Sequence, residues 1–230
     1  MSRQKIVILS GAGVSAESGL STYRDSNGLW KQYAWQELAS PEGWRKNPQA
    51  VLEFYNERRA QAWQAQPNAA HQAIARLEQA YHVVVVTQNV DALHERGGST
   101  NVIHLHGELA YARGTSPARR RRLLEDRPIA LGDLCEDGTQ LRPDIVWFGE
   151  DVPLIAVAAD EVRRADRILV VGTSLLVHPA ASLVHHAPRH AEKALVALEV
   201  EDLPHGYRFL RGKATEMVPP LVEQWLQEAR

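Results

Sequence analysis

The sequence predicts an α/β fold: a parallel sheet with helices on both faces and a small inserted lobe. Three observations carry this. Short β-branched runs alternate with segments of helical apolar spacing, a glycine turn follows the first run, and residues 111–141 interrupt the alternation. The 230 residues suffice for one such domain with an insert.

Taken in order, residues 5–9 read as a buried strand, followed by the glycine turn. Residues 18–48 are irregular, with Gly19, Gly28 and Gly43 among aromatics at Tyr23, Trp30, Tyr33 and Trp35. They read equally as a cover over a ligand or as a packed surface loop. Apolar residues at three- and four-residue steps predict helices over 53–64 and 69–80, and residues 82–87 form the next strand. The stretch 111–141 holds the Arg119–Arg122 run, glycines and two prolines, and is the candidate lobe. Strands are expected at 144–148, 167–171 and 194–200, with a last helix over 220–229. No internal repeat is present.

Hydrophobic residues at 44% and charged residues at 23% exclude a largely disordered chain. A net charge of −2 gives no electrostatic ground for a nucleic-acid partner or a membrane-surface role. The longest apolar runs fall far below a membrane span, and the first ten residues hold too few apolar positions for a signal peptide. One cysteine, Cys135, excludes an intramolecular disulfide and any multi-cysteine metal site. A soluble cytoplasmic monomer is the expectation.

Five motifs carry chemistry. Gly11-Ala12-Gly13-Val14-Ser15-Ala16 fits G-x-G-x-x-G/A at a Rossmann-like strand-to-helix turn, where glycines let a pyrophosphate approach helix amides. The acidic ribose partner of a dehydrogenase is missing, because Thr87 is followed by Gln88 and Asn89. In 87–94, Asn89 and Asp91 suit an amide-bearing ligand or, alternatively, a helix cap. His104-Leu105-His106-Gly107-Glu108 puts two histidines on one strand face. A metal pair is conceivable there, but no third ligand is near, which favours one histidine as general base and the other as structural. Gly172-Thr173-Ser174-Leu175 suits phosphate or ribose, and the edge of 142–150 suits an extended peptide.

Together these motifs resemble the sirtuin family of NAD-dependent protein-lysine deacylases, in family order and over nearly the whole chain. Residues 11–24 are similar to GAGxSxxSGIPxFR, with Tyr23 where phenylalanine is usual; 87–94 resemble TQNxDxLH; 142–150 resemble RPxVVxFGE. The resemblance implies NAD contacts from Gly11, Ala12, Gly13, Ser15, Glu17, Tyr23, Arg24, Trp30, Gln88, Asn89, Val90, Asp91, Gly172, Thr173, Ser174 and Ala214. It implies nicotinamide near Asn89 and Asp91, His106 as the base, and a peptide strand at Val146, Phe148, Gly149 and Glu150. Tyr55 and Arg58 resemble the Y-x-x-R of sirtuins that remove succinyl and malonyl groups. Three apart on a helix they share a face, and a phenol with a guanidinium suits a carboxylate.

The departures are as informative. Most sirtuins carry two zinc-cysteine pairs; here the first pair's positions resemble Gly114 and Pro117, and only Cys135 precedes Arg142. The resemblance therefore implies no zinc and a lobe packed through Leu123, Leu124, Ile129, Leu131 and Leu134. Arg119–Arg122 is expected as a solvated helix face, 132–138 as a tight turn, and Cys135 as a packed residue. Glu108 stands where serine is common, and Glu199 where an asparagine is expected on the adenosine ribose.

The implied arrangement is one domain over 1–230, with an NAD-binding lobe at 1–25, 69–108 and 142–230 and a small lobe at 26–68 and 109–141. The implied reaction takes acetyl, succinyl or malonyl groups from protein lysines, releasing nicotinamide and O-acyl-ADP-ribose. An NAD glycohydrolase, an ADP-ribosyltransferase and a non-catalytic NAD-sensing protein are the alternatives.

Overall fold

Four apolar, largely β-branched runs, within residues 5–9, 82–87, 167–171 and 194–197, set the frame, and the computed structural model describes it over residues 3–21, 35–116 and 120–229. In chain order the elements are β1 (Lys5–Ser10), α1 (Gly13–Ala16), α2 (Trp35–Leu38), α3 (Pro41–Lys46), α4 (Pro48–Gln64) and α5 (Ala69–Arg76). Then come β2 (His82–Thr87), α6 (Leu93–Arg96), β3 (Val102–His104), β4 (Gly107–Gly114), β5 (Arg121–Leu123) and β6 (Leu141–Ile145). The last are α7 (Ile155–Arg163), β7 (Arg167–Val171), β8 (Glu192–Ala197), β9 (Arg208–Arg211) and α8 (Ala214–Glu228).

The main sheet is parallel with strand order β3-β2-β1-β7-β8-β9. Its inner strands are buried on both faces because helices cover both, which is why the runs are continuous rather than alternating. One face packs Ile6, Ile8, Val83 and Val85 under α5 and α8, with Trp225 and Leu221 filling the contact. The other packs Val7, Leu9, Val84 and Val86 under α7 and the turn Ala180–His186. Chain direction away from β1 reverses between β2 and β7, so the carboxyl ends of those strands open a crevice.

A second, antiparallel sheet, β5-β4-β6, is held against α4. Phe54, Tyr55, Leu109, Ile145 and Trp147 form one cluster there; Leu52, Ala112, Leu124, Ile129 and Leu141 form another. Asn47 caps α4 by accepting from the Ala50 amide at 3.1 Å, and Pro48 starts the helix where a missing amide costs nothing.

Several boundaries differ from expectation. The strand expected over 144–148 is Leu141–Ile145 and belongs to the second sheet, not the parallel one. Beyond it the chain turns, because the Glu150 amide donates to the Trp147 carbonyl while the Glu150 carboxylate takes the Trp147 amide. The expected helix over 119–122 is a strand, Arg121–Leu123, with Arg119 outside the described residues. Arg121 lies over Tyr111 and pairs with Glu108 and Asp144, which draws it alongside β4. Leu124 and Ile129 pack as expected, whereas Leu123, Leu131 and Leu134 are about half exposed. The last helix starts at Ala214 rather than 220 and runs through Pro219 and Pro220, carried by its buried face of Val218, Leu221, Val222 and Trp225. The helix over 69–80 ends at Arg76 and tightens into a 3₁₀ turn at Leu77–Gln79, and the strand over 194–200 is Glu192–Ala197. No helix of the described residues is long and apolar enough to cross a membrane.

Candidate active site

The crevice at the carboxyl ends of β1, β2, β7 and β8 widens into a cleft of about 620 Å³ that extends to α4 and the second sheet. Every expected site residue within the described segments lines it: the Gly11 turn with Ser15 and Glu17, 88–91, His106, Gly172 to Ser174, Ala214, Tyr55, Arg58, and Val146 to Glu150. Glu199 lines it too. Tyr23, Arg24 and Trp30 lie outside the described residues.

On the β1 side two glycines allow the closest approach of backbone. A Cβ on Gly13 would stand 2.8 Å from the Gly172 Cα, and one on Gly172, whose φ is +64°, would stand 2.2 Å from the Val14 nitrogen. The two loops touch only because both lack side chains. The amides of Gly11, Gly13, Val14, Ser15 and Ala16 are taken by backbone carbonyls, so Ala12 is the turn residue whose amide none of these bonds uses. Glu17 turns away from a purely cofactor-facing role, since its carboxylate accepts from the Thr215 amide at 3.1 Å and the Thr215 hydroxyl at 2.7 Å, holding the start of α8.

The segment after β2 is fixed from both ends. The Gln88 side chain donates to Thr173 at 3.2 Å, and the Asn89 side chain donates to the Ser15 hydroxyl at 3.0 Å. Asp91 caps α6 by accepting from the Leu93 amide at 3.1 Å. Burial pushes the Asp91 carboxyl up, against the pull of that amide and of the Ser15 hydroxyl. Asp91 thus both stands at the head of α6 and lines the cleft.

The two histidines sit in different surroundings. His106 Nδ1 lies 3.2 Å from the Gln88 carbonyl, which makes that nitrogen the proton bearer and leaves Nε2 as the lone pair. Burial holds His106 below the ordinary histidine value, only partly opposed by that carbonyl. Gly107 follows because the chain takes φ +82° there and a Cβ would stand 2.0 Å from the Asp144 carbonyl. His104 is buried, with Nε2 2.6 Å from Glu95. Its partner sits in α6, a link that spacing alone does not reveal.

At the far end, Tyr55 is 4% exposed, stacked edge-on to Phe54 at 5.0 Å, and Arg58 lies 5.5 Å from the Phe54 ring. Gln61 continues the same helix face along the cleft, a residue that the spacing of 55 and 58 already points to. Glu150 lines the cleft, but Arg142 holds its carboxylate at 2.8 and 3.1 Å and the Trp147 amide at 2.9 Å. Those contacts keep its carboxyl below the usual range despite burial. Trp147 also lines the cleft, from within the 142–150 segment, and so does His178, which carried no sequence signal.

The Sir2 family model matches residues 11–179. The chain belongs to the Sir2 family. It is 53% identical over 226 residues to an NAD-dependent protein deacylase of Helicobacter pylori strain 26695, covering 96% of this chain and 98% of the relative. A second Helicobacter pylori deacylase, from strain J99, is 46% identical over 98% of both chains. A Sir2 homologue solved with ADP-ribose superposes with a TM-score of 0.90 at 42% identity, covering 98% of this chain and 93% of that one. A Sir2 homologue solved with NAD gives 0.88 at 41% identity, covering 99% and 91%.

In this Sir2 chain the corner at Gly114 is closely packed by its neighbours. A Cβ there would stand 2.7 Å from Thr139 Oγ1, 3.1 Å from the Cys135 Cβ and 3.3 Å from Asp137 Oδ1, and the Ser116 and Thr139 hydroxyls both donate to the Asp137 carboxylate. Those bonds pull the Asp137 carboxyl down to about 2. Among the described residues, the metal-type cluster is instead Glu95, His104 and Glu108, where Glu108 pairs with Arg121 at 2.6 Å.

Proposed function

We propose that this chain is an NAD-dependent protein-lysine deacylase whose acyl range includes succinyl and malonyl groups. The observation that carries the reading is one continuous cleft lined by the Gly11 turn, by His106 and by the Tyr55–Arg58 pair. The glycine contact between the β1 and β7 loops fits a dinucleotide, and Asn89 and Asp91 fit its carboxamide. NAD supplies an electrophilic ribose carbon with nicotinamide as its leaving group.

The chain's own groups then divide the work. The Gly11 turn with Gly172, Thr173 and Ser174 would hold phosphate and ribose, Gln88 would orient ribose, and Ala214 would pack by backbone. Tyr23, Arg24 and Trp30 are proposed to complete that enclosure. His106 Nε2 accepts a ribose hydroxyl proton, and its depressed pKa keeps it neutral and ready at physiological pH. Val146, Phe148 and Gly149 would pair with the peptide around the acyl-lysine. The Tyr55 hydroxyl and Arg58 guanidinium would take the acyl carboxylate. We propose further that the chain works without zinc, in a large lobe and a small lobe of residues 26–68 and 109–141, in the cytoplasm and as a monomer.

The experiment compares kcat/KM on matched acetyl- and succinyl-lysine peptides for wild type and Arg58→Met. Succinyl activity should fall by about 2–3 kcal/mol, roughly 30- to 150-fold, while acetyl activity persists. Equal loss on both peptides would remove Arg58 from the acyl site. Nicotinamide release that ignores either peptide would make the chain an NAD glycohydrolase or ADP-ribosyltransferase instead.

A further inference from the structure

Two successive carbonyls after β2 are each held by a histidine. The Gln88 carbonyl takes His106 Nδ1 at 3.2 Å, and the Asn89 carbonyl lies 3.0 Å from His104 Nδ1. The other nitrogen of His104, Nε2, lies 2.6 Å from the Glu95 carboxylate. Both partners of His104 are acceptors only. A neutral imidazole has one N–H and one lone pair, so either tautomer would press a lone pair against an oxygen. That clash would fall inside a residue only 8% exposed, where water cannot relieve it. A ring protonated on both nitrogens satisfies both ends.

We infer that His104 is a buried imidazolium that positions the Asn89 carbonyl, and that loss of its second proton sets the alkaline limit of NAD capture. The role in capture rests on the deacylase reading; the charge state of the ring does not. Asn89 is the residue through which this matters. Its carbonyl is fixed by His104, and its side chain donates to the Ser15 hydroxyl of the glycine turn at 3.0 Å. Its amide also donates to Thr87 Oγ1 at 3.0 Å, so releasing the carbonyl removes one of three anchors and loosens the alignment of Asn89 with the turn.

The charged and titratable groups around the ring favour the cation. Glu95 faces it from α6 and Glu108 from β4, with Glu108 shared by Arg121 of β5. Asp91 also interacts with it, whereas His94, pushed down to about 3 by burial, is uncharged where an imidazolium loses its proton. Burial opposes the charge, yet Glu95, Glu108 and the Asn89 carbonyl outweigh it and hold His104 above the ordinary histidine value. Glu95 is held below the usual carboxylate range in return, again against burial. His106, two residues on, moves the other way. One strand exit thus carries a standing cation and a standing base, separated by their environments.

Long-range ¹⁵N–¹H spectra of the histidine rings in the full chain test this directly, with His104→Gln used for assignment. In wild type at neutral pH, His104 should carry protons on both nitrogens, and Glu95→Gln should move its deprotonation to lower pH. The KM for NAD should rise about tenfold above that pH, with kcat at saturating NAD changed by less than about twofold, as expected for one charge-assisted hydrogen bond lost from binding. In Glu95→Gln the same rise should come at lower pH. A neutral His104 ring at pH 7 in wild type overturns the inference, as does a Glu95→Gln profile that superimposes on wild type. Should wild type turn over no acyl-lysine peptide, the deacylase reading fails, while the ring spectra and an NAD titration by calorimetry still decide the inference.

Discussion

His106 gains its basicity from geometry before any pKa enters. With Nδ1 committed to the Gln88 carbonyl, its lone pair sits on Nε2, the nitrogen not used to hold the loop. Burial then keeps the ring neutral below the ordinary histidine value, so acid inactivation of kcat/KM should begin at a lower pH than for an exposed histidine. Replacing His106 by Ala should reduce deacylation by roughly 10²- to 10⁴-fold, the usual worth of a positioned general base. NAD affinity, read by calorimetry, should stay near wild type; an Ala variant that still deacylates would take the base role away from His106. At this scale the sequence was informative where chemistry repeats at short range: the Gly11 turn, the 87–94 segment, and Tyr55 with Arg58 one helical turn apart. It was silent where a side chain answers to a distant one, as Glu17 does to Thr215 and His104 to Glu95.

The turn after β6 is built from ion pairs rather than from ladder bonds. Arg142 lies 3.2 Å from the Trp147 ring centre and holds Glu150 with both nitrogens, while Arg113 reaches Glu150 at 3.3 Å and Asp144 at 3.4 Å. The Val146 amide donates to the His106 carbonyl at 2.9 Å and the Phe148 amide to the Ala39 carbonyl at 3.0 Å. On the proposed function this turn would align the peptide edge with His106, with Glu150, its oxygens already spent on Arg142 and the Trp147 amide, as a positioning residue. Glu150→Gln should raise the KM for peptide well above any change in the KM for NAD. It should also destabilise the fold by about 3 kcal/mol, because the buried Arg142 guanidinium loses its counter-charge and Arg113 keeps only Asp144. A variant with unchanged peptide KM and unchanged thermal midpoint would show the clamp to be ornamental. Local apolar spacing suggested a strand three residues further on, at 144–148, and the arginine run at 119–122 suggested a helix. Neither pattern contains the distant pair of Arg121 with Asp144, or shows that Arg142 folds back on Glu150 eight residues on.

Across the whole molecule, the parallel sheet is secured by its two apolar faces, whereas the second sheet has little core and no cysteine cluster. A polar clasp from α4 takes up the task. Asn56 donates to the Ile129 carbonyl at 2.9 Å and accepts from the Ile129 amide at 2.9 Å. Arg59, 1% exposed, donates to Asn56 at 2.7 Å and to the Leu109 carbonyl at 2.6 Å, which ties the same helix to β4. Burial lowers the Arg59 guanidinium to about 10, so it stays charged at neutral pH, stabilised by these carbonyl oxygens. Asn56→Ala would strip the 129 amide and carbonyl of their partners and remove one acceptor from a buried cation. The expected loss is about 2–3 kcal/mol, or roughly 4–12 °C in thermal midpoint for a chain of this size. A chelator, in contrast, should leave midpoint and turnover unchanged, because the lobe is proposed to stand on this clasp and not on zinc. If a chelator lowers the midpoint and added zinc restores it, a metal holds the lobe together and the clasp is secondary.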